Sequence, residues 1–133
     1  MNGTAAEHGP ERALSVLRWL AAAMMFIHGT YRISQDGFVA GFGGALDGYG
    51  IPFGVAVAWL ITVWECTGSV ALATGWRQRW IALAFAAELT AGIILVHRPH
   101  GWFVVGGGRN GMEYSVLLIV CLACVGMQHA KPR

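Results

Sequence analysis

Charge is scarce in this sequence. Asp, Glu, Lys and Arg make up 12% of its 133 residues, about half of the roughly 25% usual in soluble domains. What charge there is collects at the two ends and in three short segments between long apolar stretches, a distribution that belongs to a membrane protein rather than to a soluble core. A net charge of +2 leaves no basic stripe for nucleic acid, and no nucleic-acid motif is present. Cysteine is also sparse: Cys66, Cys121 and Cys124 are odd in number and all lie in apolar stretches, which excludes a secreted disulfide framework. No small-x-small cleavage site follows the apolar run Leu20 to Ile27, and Arg18 interrupts the approach to it, so this stretch reads as a retained first helix and not as a signal peptide. A flavin or dinucleotide fingerprint and an iron–sulfur cysteine set are likewise missing, and Gly106-Gly107-Gly108 lacks the strand context and GK[ST] ending of a phosphate loop.

What is there is apolar: 56% of the chain. Four stretches run from about Ala13 to Ile33, Pro52 to Thr74, Arg79 to His97 and Met112 to Gln128, each near the ~18–20 residues that a helix needs to cross ~30 Å of hydrocarbon. Pro52 suits a first helical turn, Gly75 a helix C-terminus, and Pro99 a helix stop. Only Gly75 to Gln78 separate the second and third stretches, which predicts a tight antiparallel hairpin. The expected architecture is an all-α, membrane-embedded four-helix bundle of one domain (13–128), flanked by tails at 1–12 and 129–133. Arg12, Arg18, Arg77, Arg79, Lys131 and Arg133 fall on one side of the membrane and Arg32, Arg98 and Arg109 on the other, so the positive-inside rule puts both termini in the cytoplasm. The glycine-rich loops Ser34–Ile51 and Arg98–Gly111 then face outward, as connectors or as a lid.

Glu65 lies near the middle of the second span and Glu88 near the middle of the third. A charged carboxylate at mid-bilayer costs about 2.5–3.5 kcal/mol on insertion scales, so both must face the bundle interior or hold a proton. Their neighbours fit an interior face: Ala58, Thr62, Gly68 and Ser69 around Glu65, and Ala84, Ala91 and Gly92 around Glu88, small residues that let helices approach closely. Structural glue and proton handling are both open to this pair. A second group gathers at the outer helix ends: His28 and Arg32, then His97, Arg98 and His100, then Glu113 and Tyr114. Together with the two glutamates it forms a polar column from mid-membrane to the outer surface. Arg18 snorkels to the opposite interface. Haem ligation by His28 and His97, a metal on His97, His100 and Glu113, and a redox role for the Cys121–Cys124 pair are further readings of these residues. None has a supporting signature, because Pro99 breaks the helical spacing of the two histidines and two cysteines in lipid serve as small packing residues.

Read in order, Arg18, His28-Gly29, the glycine-rich loop to Gly50-Ile51-Pro52, Glu65-Cys66-Thr67-Gly68, Leu72-Ala73-Thr74-Gly75, Arg79, His97, Gly111-Met112-Glu113-Tyr114 and Leu117-Leu118 resemble the DoxX family of small four-helix membrane proteins, from about Arg18 to Gly126. The family takes its name from a membrane subunit associated with thiosulfate:quinone oxidoreductase and a terminal quinol oxidase. The resemblance implies quinone-linked redox work in a bacterial or archaeal plasma membrane, alongside partner subunits or as a homo-oligomer, with no firmly bound cofactor and quinone as the ligand. In that picture Glu65 and Glu88 handle protons, while His28, Arg32, His97, Glu113 and Tyr114 bind the polar head. The alternatives are a non-catalytic anchor or assembly factor and, third, a proton or small-solute pathway.

Overall fold

The computed structural model describes residues 4–128; the 129–133 tail and residues 1–3 of the N-terminal tail lie outside the described residues. The described chain is helical, with five α-helices: α1 (Thr4–Ser34), α2 (Phe38–Gly48), α3 (Gly54–Thr74), α4 (Gln78–Gly92) and α5 (Glu113–Met127). A π turn (Ile93–His97) and a 3-10 turn (Arg98–His100) continue α4. Three helical stretches are long and apolar enough to cross a membrane: Gly9–Ser34, Gly54–Thr74 and Gln78–His100. The third runs through Pro99 because the 3-10 turn accepts proline at its start. The fourth expected span is shorter than anticipated. Its helix has 15 residues, about 22 Å at 1.5 Å per residue, because residues 101–112 fold back instead of extending it.

The outer surface is as apolar as a bilayer requires. Trp19, Leu60, Trp76, Trp80, Leu83 and Leu117 are all exposed, a surface that lipid covers and water would not tolerate. Small residues dominate the inner faces. The α3 stripe Ala58, Thr62, Glu65, Gly68, Ser69 and Leu72 is buried along one side, and it meets Ala21, Ala22 and Met25 of α1. Gly29 marks the closest approach: a Cβ there would stand 2.9 Å from Cys66 Sγ and 3.0 Å from Glu65 Cβ. At the end remote from α2, Ala22, Met25, Leu72, Phe85, Leu122 and Val125 join α1, α3, α4 and α5 in the main core. Polar groups in this face are satisfied locally. Thr62 donates to the Ala58 carbonyl at 2.7 Å, and Ser69 donates to the Glu65 carbonyl.

The α3–α4 hairpin forms as expected from Gly75. That residue is left-handed (φ 78°), and the amides of Gly75 and Trp76 return to the carbonyls of Leu72 and Ala71, a Schellman closure. Beneath it Arg18 donates to Gln78 Oε1 at 2.9 Å, and Gln78 donates to the Val125 carbonyl at 2.6 Å. Arg18 thus ties α1 to α4 and α5 rather than only reaching the interface.

The first loop is not a flexible connector. Its residues 38–48 form α2, which buries Val39, Gly43 and Leu46 and, through Val39 and Leu46, packs on Ala58 of α3 in a small second core. Two glycines here permit close contact: a Cβ on Gly54 would lie 2.0 Å from the Gly43 carbonyl oxygen. Asp47 Oδ1 accepts the Gly54 amide at 2.9 Å, placing an acidic cap at the start of α3, where the helix dipole favours it.

Candidate functional site

Between the two cores lies a cavity of about 860 Å³. It forms where α3 and α4 part and α2 covers the gap, and the π turn after α4 continues its wall. Such turns widen a helix and recur at functional sites. Its walls are mostly apolar, with Phe42, Tyr49, Leu60, Ile61, Trp64 and Leu95 among them. Leu60 is also an exposed residue, so the cavity opens at the surface of the helical bundle.

The polar groups on this wall come from three helices. Arg32 of α1 donates to Glu65 Oε2 at 2.5 Å and, through its second amino group, to Oε1 at 3.3 Å. It also donates to Thr62 Oγ1 at 2.9 Å. The Arg32 side chain is 11% exposed and that of Glu65 2%, so this is a buried, forked ion pair. Phe42 of α2 closes the other face, its ring centre 4.5 Å from the guanidinium carbon, a cation–π contact. His28 Nδ1 stands 3.7 Å from Glu65 Oε1 while most of its side chain is exposed. Glu88 of α4 completes the group. It borders the same cavity as Glu65 and Trp64, and its Oε2 is buried with no partner among the described residues.

His97 borders the cavity. Its Nδ1 is hydrogen-bonded to the Asn110 carbonyl at 2.8 Å. Since a carbonyl only accepts, the proton is on Nδ1, which leaves Nε2 as an acceptor in the neutral ring.

The seven site residues anticipated from sequence therefore divide. Glu65, Glu88, His28, Arg32 and His97 all border the cavity. Glu113 and Tyr114 do not. Glu113 Oε1 accepts the Val104 amide at 2.9 Å and pins the 101–112 loop against the start of α5, while Tyr114 is exposed. The levels differ too. Gly29 touches α3 at Thr62, Glu65 and Cys66, so His28 and Arg32 stand beside Glu65 and not a layer above it. The polar column is compressed into one cluster, and α2 closes the space over it. Phe42, Trp64 and Asn110 carried no signal as site residues in the sequence, because aromatics and a loop asparagine are ordinary in such segments. Cys121 and Cys124 are free, half-buried thiols, and among the described residues no group of three His, Cys, Asp or Glu side chains is placed to hold a metal ion.

Long apolar helices with an apolar outer surface, enclosing a mostly apolar cavity that holds a buried ion pair, define a small helical integral membrane protein. A family profile described as DoxX matches residues 13–98, the segment that contributes most of the cavity wall, and the chain belongs to the DoxX family. The Gly111–Tyr114 stretch lies beyond the matched residues. No curated protein and no solved structure matches the chain.

Proposed function

We propose that this chain is the membrane subunit of a quinone-linked redox complex and that its cavity holds a quinone or a similar small amphipathic molecule. One observation carries the reading: a mostly apolar cavity of about 860 Å³, open at the bundle surface, with Arg32, Glu65 and Glu88 on its wall. Small-molecule sites are mostly apolar spaces of about 300–1,000 Å³ with a few convergent polar groups. A bilayer-dissolved ligand enters sideways between α3 and α4, its ring against Trp64 and its polar head toward the cluster. Reduction of a quinone consumes two electrons and two protons. The electrons come from a redox centre in a partner subunit, and the protons pass through Glu65 and Glu88. In this reading the chain crosses a bacterial or archaeal plasma membrane four times, with both termini inside, and α5 and its short helix make the fourth crossing against α4.

The test is quinone-dependent turnover in membranes that carry the complex. A Glu65→Gln, Glu88→Gln double variant that assembles at wild-type levels loses most of that turnover. Full turnover in the assembled double variant removes the reading and favours the anchor alternative. The forked Arg32–Glu65 bond between α1 and α3 supports that second reading, since it would serve equally as interhelical glue.

A further inference from the structure

The three charged groups of the cavity are not equivalent. We propose that Glu88 is the hydrogen-bond donor that selects the ligand, that Arg32 and Glu65 form a fixed pair that does not, and that the cavity therefore takes an uncharged, acceptor-bearing head group and rejects an anionic one. The inference rests on the cavity being the ligand site, as proposed above.

Arg32 is already spent. Its two amino groups grip both oxygens of Glu65, one of them also reaches Thr62 Oγ1, and Phe42 covers its face. One cation is matched by one carboxylate 2% exposed, so among the described residues that line the cavity no unpaired arginine or lysine is left to receive a carboxylate or phosphate head. Glu88 borders the same cavity from α4, and its buried Oε2 has no hydrogen-bond partner among the described residues. A bare carboxylate there would go unsatisfied, whereas a carboxylic acid brings its own hydrogen. Glu65 is the member held by a guanidinium, so the proton resides on Glu88, with its O–H free to meet a ligand. With Glu88 protonated the cluster is neutral overall. An anionic head would bring an unbalanced charge into an apolar space, which costs far more than a neutral carbonyl that exchanges one hydrogen bond for another.

The experiment uses the full chain in lipid nanodiscs and two probes of similar size, decylubiquinone (neutral) and dodecanoate (anionic), with binding measured by equilibrium dialysis. Gly92→Phe fixes the location. Gly92 borders the cavity, and a Cβ built there meets no atom within 4 Å, so the substitution adds a ring to the cavity wall without a clash at Cβ. Decylubiquinone is expected to bind at least about tenfold more tightly than dodecanoate. Glu88→Gln, which keeps a donor, stays within about threefold of wild type, whereas Glu88→Leu loses about tenfold or more. Gly92→Phe abolishes binding. If Gly92→Phe blocks binding but dodecanoate is preferred, or Glu88→Gln falls as far as Glu88→Leu, the selection by Glu88 is overturned and the cavity stands. If decylubiquinone binds undiminished to Gly92→Phe, or neither probe binds wild type, the cavity assignment itself is overturned, and this inference with it.

Discussion

Replacing Arg32 with methionine removes one partner of a pair that has little water to fall back on. With the side chains 11% and 2% exposed, Glu65 is left buried, and His28 Nδ1 at 3.7 Å is the nearest described group able to carry a positive charge. Breaking a buried pair in this way costs about 3–5 kcal/mol, whereas replacing both members by apolar residues of similar size is often neutral or stabilising. Loss of the contact with Phe42 adds about 0.5–1 kcal/mol. Arg32→Met is therefore expected to lower the unfolding free energy by at least about 3 kcal/mol, roughly a hundredfold in the equilibrium constant. An Arg32→Met, Glu65→Leu double variant recovers most of that loss. The assay is a double-mutant cycle by reversible SDS unfolding in mixed micelles, followed by helical circular dichroism. A coupling of about 2 kcal/mol or more is the expected result, since residues in one polar network couple by about 0.5–3 kcal/mol. Strict additivity, or an Arg32→Met variant within about 0.5 kcal/mol of wild type, would refute the reasoning, because the pair would then be a solvated surface contact worth little.

Two other expectations concern the cover of the cavity. Gly54→Ala places a Cβ 2.0 Å from the Gly43 carbonyl oxygen, and a backbone atom cannot swing aside, so α2 lifts from α3 at a cost of about 1–3 kcal/mol. Faster amide exchange confined to residues 38–48 would report it. Gly41→Ala, which meets nothing within 4 Å, serves as the control and stabilises by about 0.5–1 kcal/mol. Asp47→Ala removes the acceptor for the Gly54 amide; it costs about 1 kcal/mol and speeds exchange at the start of α3, and unchanged protection there would show that the cap contributes nothing.

The membrane nature of the chain and the interior placement of Glu65 and Glu88 were legible because lipid punishes a misplaced charge more than any packing error. The Gly75 closure was legible because left-handed backbone favours one residue type. The first loop was misjudged for a related reason. Glycines usually signal flexibility, but Gly43 and Gly54 are there so that two backbones can touch, and only the fold shows which use a glycine serves. Setting helix ends level with one another puts Arg32 a layer too high. Gly29 lets α1 press against the middle of α3, which brings a residue near the end of one helix beside a residue at the centre of the next. Glu113 was assigned to the site by its position at a helix start, yet the nearer claim on its carboxylate was the Val104 amide of its own loop.

The central claim is that the cavity holds a lipid-soluble molecule at the Arg32–Glu65–Glu88 cluster. Lipid extraction and mass spectrometry of the chain purified in mild detergent, wild type beside Gly92→Phe, test it most directly. The account predicts one amphipathic species with an uncharged polar head, retained at close to one per wild-type chain and absent from Gly92→Phe. Equal amounts of every extracted lipid in the two preparations would contradict it.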